Sequence, residues 1–307
     1  MNHSFIIPPS SAPKGKRSSI ITGLSRWPIL RHFVSPVTKE PVTETSAAAS
    51  PPEADVPHIS PYFLKGMELG DLMFAIAAVY AHAKRHRLAC RIPWAHSRIT
   101  RSLRRELHNI CIPATSGQVN EPVAYSELSR MQYSPIPDDI TEGSIKGYFH
   151  SPLYFADKET EIRRLYSSLV ATEKIPGSVG IHINPGEDTF PYSKFRLATC
   201  YYLLRAAAYI PEDAHELTIF SEKPAQALAL LTGIPEFSRF SFKPEHLNTF
   251  EQLRRMTAMQ FLITSTDTLS WWAAWLGKPS QVIVPNYWFS LNGDSLPVIP
   301  GSDWMKC

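Results

Sequence analysis

Thr264-Ser265-Thr266-Asp267-Thr268-Leu269-Ser270-Trp271-Trp272-Ala273-Ala274-Trp275-Leu276-Gly277 is the stretch that decides the fold. The apolar run Phe261-Leu262-Ile263 precedes it, and Gln281-Val282-Ile283-Val284-Pro285 follows it. The order predicts a strand, a polar loop, an aromatic helix stopping at Gly277, and a second strand. In an open α/β sheet, the loop beyond a strand's carboxyl end is where ligands lie. Small hydroxyls and one carboxylate there can cap the helix and still face a ligand. The plainer reading is that the Thr/Ser run is only a cap and the Trp pair only core, since each indole buries a large apolar area.

Outward from this stretch, strands and helices alternate, which predicts parallel sheets with covering helices. Strands are expected at 62–64, 90–93, 145–149, 178–183 and 216–220. Helices are expected at 71–87, 98–108, 158–169, 199–209, 225–231 and 250–259. Lys84, Arg85, His86 and Arg87 suit a helix C-terminus. Gly66 and Gly70 are expected to flank a turn ahead of the 71–87 helix, and residues 116–139, punctuated by Pro and Ser, are expected to form loops with short strands.

Residues 1–57 differ. Pro, Ser, Ala and Thr dominate, and the segment cannot bury enough surface to offset its ordering entropy. It is read as a disordered leader. Lys14, Lys16, Arg17, Arg26 and Arg31 precede its first acid, Glu40. A basic, acid-poor, Ser-rich composition fits a transit peptide or a merely solvated tail. The division expected is a leader at 1–57, a first Rossmann-like domain at 58–172 and a second at 173–307.

The 307 residues carry 44% hydrophobic and 19% charged side chains, an ordinary globular balance. A net charge of +3 without a basic stripe argues against a nucleic-acid partner. Cys90, Cys111, Cys200 and Cys307 stand singly, without the spacing of a zinc site or a disulfide framework. No stretch approaches the roughly 18 apolar residues of a membrane span. No membrane anchor or secretory signal is read in the sequence, so the expected location is cytoplasmic or otherwise soluble.

Five segments in order resemble glycosyltransferase family 11, the α-1,2-fucosyltransferases. Ser270-Trp271-Trp272 with Ala274-Trp275-Leu276 is similar to its N-S-[ST]-F-S-W-W-x-A-W-L signature, which aligns from Thr266. Leu69-Gly70-Asp71-Leu72-Met73-Phe74 resembles its G-L-G-N-Q-[LM]-F start. Gly147-Tyr148-Phe149-His150-Ser151-Pro152-Leu153-Tyr154-Phe155 resembles G-Y-[FW]-Q-S-x-x-Y-F. Val179-Gly180-Ile181-His182-Ile183-Asn184-Pro185-Gly186 resembles V-x-[VI]-H-[IV]-R-R-G-D, and Phe220-Ser221-Glu222-Lys223 resembles F-S-D-D. The resemblance covers about residues 60–290.

What it implies is a GT-B fold: two Rossmann-like domains facing a cleft, the second holding a nucleotide sugar. The implied reaction is inverting, metal-independent transfer from GDP-fucose to a sugar hydroxyl of an oligosaccharide or glycoconjugate, without a cofactor. His182, Asn184, Gly186, Ser221, Asp267, Thr268 and Ser270 would then contact the nucleotide sugar. On its own His182 reads as a satisfied, half-buried histidine; the family's His at this position favours the site reading. Asp71 and Glu187 are candidates for a catalytic base, Asp188 being a neighbouring loop acid.

The chain departs from the pattern at chemical positions. Asn184-Pro185 replaces an Arg pair that would clamp phosphate, and Asn cannot supply that charge. Lys194 and Arg196 are the candidate replacements. Glu68 stands for the first Gly of the start motif, Asp71 for Asn, Thr266 for Asn and Asp267 for Ser. The scaffold aromatics Phe74, Tyr154, Phe155, Trp271, Trp272 and Trp275 are all explicable as core. These losses leave open a catalytically inactive glycan- or nucleotide-binding relative.

Overall fold

A computed structural model describes residues 57–93, 121–129, 132–184, 194–286 and 303–307, with backbone alone over 194–199. All lie in one compact unit, Pro52–Cys307. The leader, the helix expected at 98–108, and Gly186, Glu187 and Asp188 fall outside the described residues.

The architecture is α/β with two parallel sheets, as the alternation predicts. The first sheet holds β1 (His58–Tyr62), β2 (Ala89–Cys90), β3 (Val123–Ser126) and β4 (Gly143–Lys146), in the order β2-β1-β4-β3. The second holds β5 (Ile175–His182), β6 (Glu216–Phe220), β7 (Ser241–Pro244), β8 (Met259–Ile263), β9 (Gln281–Val284) and β10 (Met305–Lys306), in the order β7-β6-β5-β8-β9-β10. Every pairing in both is parallel. Taken from β5 onward, the second sheet runs third, second, first, fourth, fifth, sixth. That is the doubly wound dinucleotide-fold order, whose ligand crevice opens where the winding reverses, between β5 and β8. In the first sheet the reversal falls between β1 and β4.

Six α-helices are described: α1 (Leu69–His86), α2 (Glu159–Leu165), α3 (Lys194–Ala207), α4 (Pro224–Thr232), α5 (Thr249–Thr257) and α6 (Thr268–Gly277). Among the described residues none is long and apolar enough to cross a membrane. The helix α6 is the expected aromatic one, capped at its start by Asp267, whose carboxylate accepts the Ser270 N–H at 2.9 Å. Asn248 and Glu251 close α5 with a reciprocal capping box.

One apolar cluster joins α1 to α6. Trp271 and Trp272 are 1% and 0% exposed, and the Trp272 ring stacks on Phe155 with centroids 5.6 Å apart. Phe74 packs within 4.8 Å of both indoles, and the Tyr166 hydroxyl donates to Met73 O at 2.7 Å. Trp275, half-buried, lies under the Arg163 guanidinium, 3.9 Å from its ring centre. The scaffold aromatics are therefore core.

Several boundaries differ from the sequence-based expectation. The first strand is His58–Tyr62, not 62–64. Pro61 makes the run read as loop, yet the buried Ser60 hydroxyl is satisfied by Glu121 at 2.6 Å, which allows a strand there. The strand expected at 145–149 ends at Lys146, because Phe149 turns to a φ of +56° with its N–H held by Glu127. The helix expected over 158–169 breaks around fully buried Tyr166 into α2 and a short 3₁₀ turn, Ser167–Leu169. The helix expected to reach 259 ends at Thr257, leaving Met259 to β8. The edge strands β7 and β10 were not anticipated; β7 is half solvent-facing and carries Pro244.

Two glycines do not act as punctuation. Gly70 lies inside α1, and a Cβ there would fall 2.4 Å from Thr268 Oγ1 and 2.6 Å from the Thr268 carbonyl carbon. Gly277 is the last residue of α6, while Lys278 takes the left-handed cap at φ +51°. A Cβ on Gly277 would meet Thr257 O at 2.7 Å, so the residue admits α5 rather than stopping α6. Gly70→Ala should cost roughly 1–3 kcal/mol by overpacking, read as a fall in the urea midpoint at unchanged slope. An unchanged midpoint would mean that α1 and α6 do not meet this closely.

Candidate functional site

The carboxyl ends of the two sheets converge at the N-termini of α1 and α6. Trp272 Nε1 donates to Gly70 O at 3.0 Å, holding one helix start against the other. Thr268 Oγ1 donates to Asp71 Oδ1 at 3.1 Å, so the first turn of each helix is tied to the other.

At the winding reversal of the second sheet, His182 ends β5 and Ser265 and Asp267 follow β8. His182 Nδ1 lies 2.7 Å from Asp267 Oδ2 and 2.8 Å from Ser265 Oγ. A carboxylate can only accept, so Nδ1 carries the proton. The Ser265 hydroxyl also donates to Asp267 Oδ2, and the Ser270 N–H takes Oδ1. Burial alone would raise the Asp267 carboxyl. The His182 charge and these hydrogen bonds outweigh it and hold the carboxyl at about 2. The adjacent helix N-terminus favours the same ionised form.

At the reversal of the first sheet, His150 Nε2 donates to Asp71 Oδ1 at 2.9 Å, and the Glu68 N–H donates to Asp71 Oδ2 at 3.2 Å. Asp71 is thus surrounded by donors. Burial opposes its charge, but the hydrogen bond and charge of His150 prevail and lower its carboxyl. The His150 side chain is 4% exposed, and its Nδ1 is buried with no hydrogen-bond partner.

Glu68 joins the two clusters. The residue is exposed, but its carboxyl is raised first by partial desolvation and then by Asp71, Glu222 and Asp267, with His182 opposing. Four carboxylates, from the start of α1 and the loops after β6 and β8, are therefore close enough to interact. Among the described residues no group of three His, Cys, Asp or Glu side chains is placed to hold a metal ion.

The other expected site residues are placed as follows. Asn184 is exposed beside this end of the sheet, and its Oδ1 accepts the Glu222 N–H at 3.3 Å. The Ser221 hydroxyl accepts the Lys223 N–H at 3.0 Å from a buried position. Thr268 is 8% exposed and turned to Asp71, and Ser270 is fully buried behind the loop. Lys194 and Arg196 lie in the first turn of α3, with side chains outside the described residues. The sequence reading thus brought His182, Asp267, Thr268 and Asp71 together but missed Glu68, His150, Ser265 and Glu222 as site residues. All four sit inside the motif segments or one residue from them.

No family model matches the chain, and no curated protein matches it in sequence. Solved structures similar to it include the fucosyltransferase NodZ from Bradyrhizobium, at 13% identity over 78% of this chain and 97% of that one, TM-score 0.42. Another is a mutant of Arabidopsis thaliana FUT1 in complex with GDP, at 10% identity over 78% and 72%, TM-score 0.45. A third is the E. coli heptosyltransferase WaaC with ADP, at 10% identity over 81% and 92%, TM-score 0.38.

Asp267→Asn keeps a helix-capping oxygen and removes the charge. A carboxyl held near 2 against an ordinary 3.8 adds stability that is full above about pH 4 and lost as pH falls through about 2. The variant should therefore be less stable than wild type by on the order of 2 kcal/mol at pH 7, with the gap closing between about pH 4 and 2. Urea titrations across pH 2–7 check this; a gap independent of pH would contradict it.

Proposed function

We propose that the chain is a GT-B-type glycosyltransferase that moves a sugar from a nucleoside-diphosphate donor to a sugar hydroxyl. The observation that carries this reading is the pairing of two winding reversals. His182, Ser265 and Asp267 stand at the ligand crevice of a doubly wound sheet, and Asp71 and His150 stand opposite, at the crevice of a second parallel sheet. An open α/β sheet binds its ligand at that point. Two facing crevices can present a donor to an acceptor, and proximity alone lowers the barrier to transfer.

Residues 173–307 are assigned the donor side, with Asn184, Gly186, Ser221, Asp267 and His182 at the nucleotide sugar, while Ser270, fully buried, and Thr268, turned to Asp71, hold the loop from behind rather than contact the ligand as expected. Residues 58–172 are assigned the acceptor side, where an oligosaccharide or glycoconjugate would sit. The motif resemblance makes GDP-fucose the first donor to test, with inversion, no metal and a galactoside 2-α-L-fucosyltransferase-like product. Lys194 and Arg196 are proposed to neutralise the leaving diphosphate from the start of α3. Of the two carboxylates expected as bases, Asp71 is already bound by donors and serves better to orient His150 and Thr268; Glu187 remains a candidate.

One observation favours the second reading, a nucleotide- or glycan-binding protein without turnover. Asn184 stands where the family carries an Arg, and its side chain is spent on the Glu222 N–H. Calorimetric titration with GDP in metal-free buffer separates the readings from the start. Micromolar binding to wild type, weakened at least tenfold in His182→Ala, is expected of the transferase and places the nucleotide at β5. Binding of GDP with no consumption of GDP-fucose favours the second reading. No binding of GDP or another nucleoside diphosphate overturns both nucleotide readings.

A further inference from the structure

We propose that Glu68 is the general base of the transfer, taking the proton of the acceptor hydroxyl; this rests on the transferase reading above. Glu68 ends the loop that leads from β1 to α1, at the crevice of the sheet assigned to the acceptor. Every other described carboxylate in the cleft is committed or misplaced. Asp71 accepts from His150, Thr268 and the Glu68 N–H. Asp267 accepts from His182, Ser265 and the Ser270 N–H. Glu222 is exposed, but it belongs to the donor-side loop after β6. Glu68 is exposed on the acceptor side, and among the described residues its carboxylate is engaged by the Asp71 N–H, in the capping box at the start of α1, and by no side chain.

The step balances without another reactant. The acceptor oxygen forms its bond to the anomeric carbon as its proton passes to a Glu68 carboxylate oxygen. The bond from the anomeric carbon to the donor phosphate breaks, and its electron pair leaves on the nucleoside diphosphate. A base works best when its own acidity lies close to the working pH. Partial desolvation does most to raise the pKa at Glu68; Asp71 of α1, Glu222 after β6 and Asp267 after β8 raise it further, and His182 of β5 lowers it. The departure from Gly at this position of the start motif is thus the one that adds a base to the cleft.

The test uses the full chain, GDP, GDP-fucose and the neutral acceptor N-acetyllactosamine. Glu68→Gln should bind GDP within twofold of wild type and lose transfer on the order of 10²–10⁴-fold, with Glu68→Asp intermediate. The wild-type rate should rise with pH along a limb set above the ordinary glutamate range, absent in Glu68→Gln and moved to lower pH in Glu222→Gln. A second measurement needs no turnover: carbon-13 NMR titration of the Glu68 carboxyl, assigned by its disappearance in Glu68→Gln. It should titrate above the ordinary range and shift down in Glu222→Gln. Failure of wild type to bind GDP overturns the transferase reading itself. GDP binding together with a Glu68→Gln rate within fivefold of wild type, or with a Glu68 carboxyl at or below the ordinary range, overturns the base assignment and leaves that reading standing.

Discussion

The fold depends on two helix starts meeting without a side chain between them. Gly70 of α1 lies so close to Thr268 of α6 that no Cβ fits. That approach brings Thr268 Oγ1 to Asp71 and Trp272 Nε1 to the Gly70 carbonyl. Beneath the contact, Phe74, Phe155, Tyr166, Trp271 and Trp272 form a shared apolar layer. Each indole and ring removes a large area from water, so separating the helices would expose the layer as well as break the two hydrogen bonds. The polar cleft therefore stands on an apolar floor that fixes its geometry.

That geometry sets the electrostatics. Helix N-termini carry partial positive charge and favour anions. Here the two anions that meet them are the protein's own, Asp71 and Asp267, each fastened by a histidine. The pairs are alike: a buried or half-buried carboxylate, an imidazole N–H, a hydroxyl and a backbone N–H. Both carboxyls are held ionised. Glu68, between them, is pushed the other way. Groups whose environments drive their acidities apart are the ones available for different roles in proton transfer.

Much of this was legible in the sequence. The strand–loop–helix unit around Asp267, the parallel alternation and the core role of the tryptophans follow from apolar periodicity and from a capping residue before an aromatic helix. What was not legible depends on contacts distant in the chain. The strand at His58–Tyr62 is concealed by Pro61 and is possible because Glu121, 61 residues away, satisfies Ser60. Gly70 and Gly277 resemble turn and stop signals, yet each is set by the helix packed against it. The edge strand β7 has half its side chains facing water, so it lacks the continuous apolar run that marks β6 and β8.

The site was hidden for a related reason. Position by position, Glu68, Asp71, His150, Asn184, Glu222 and Asp267 each depart from the motifs the segments resemble, and taken singly they look like decay. In space they are coupled. Asp71 needs the His150 N–H, Asp267 needs His182, and Asn184 holds the loop that carries Glu222. A buried or half-buried charge without a partner costs several kcal/mol, so random loss at one position would leave its neighbour unpaired. The Asp71 and Asp267 carboxylates are each met by an imidazole, a hydroxyl and a backbone N–H, while His150 Nδ1 stays buried without a partner. His150 with Asp71 and His182 with Asp267 satisfy one another across 79 and 85 residues of chain, so each pair exists only in the assembled fold. Stability alone accounts for such pairs poorly, because apolar residues of similar size would fill the same space at lower desolvation cost.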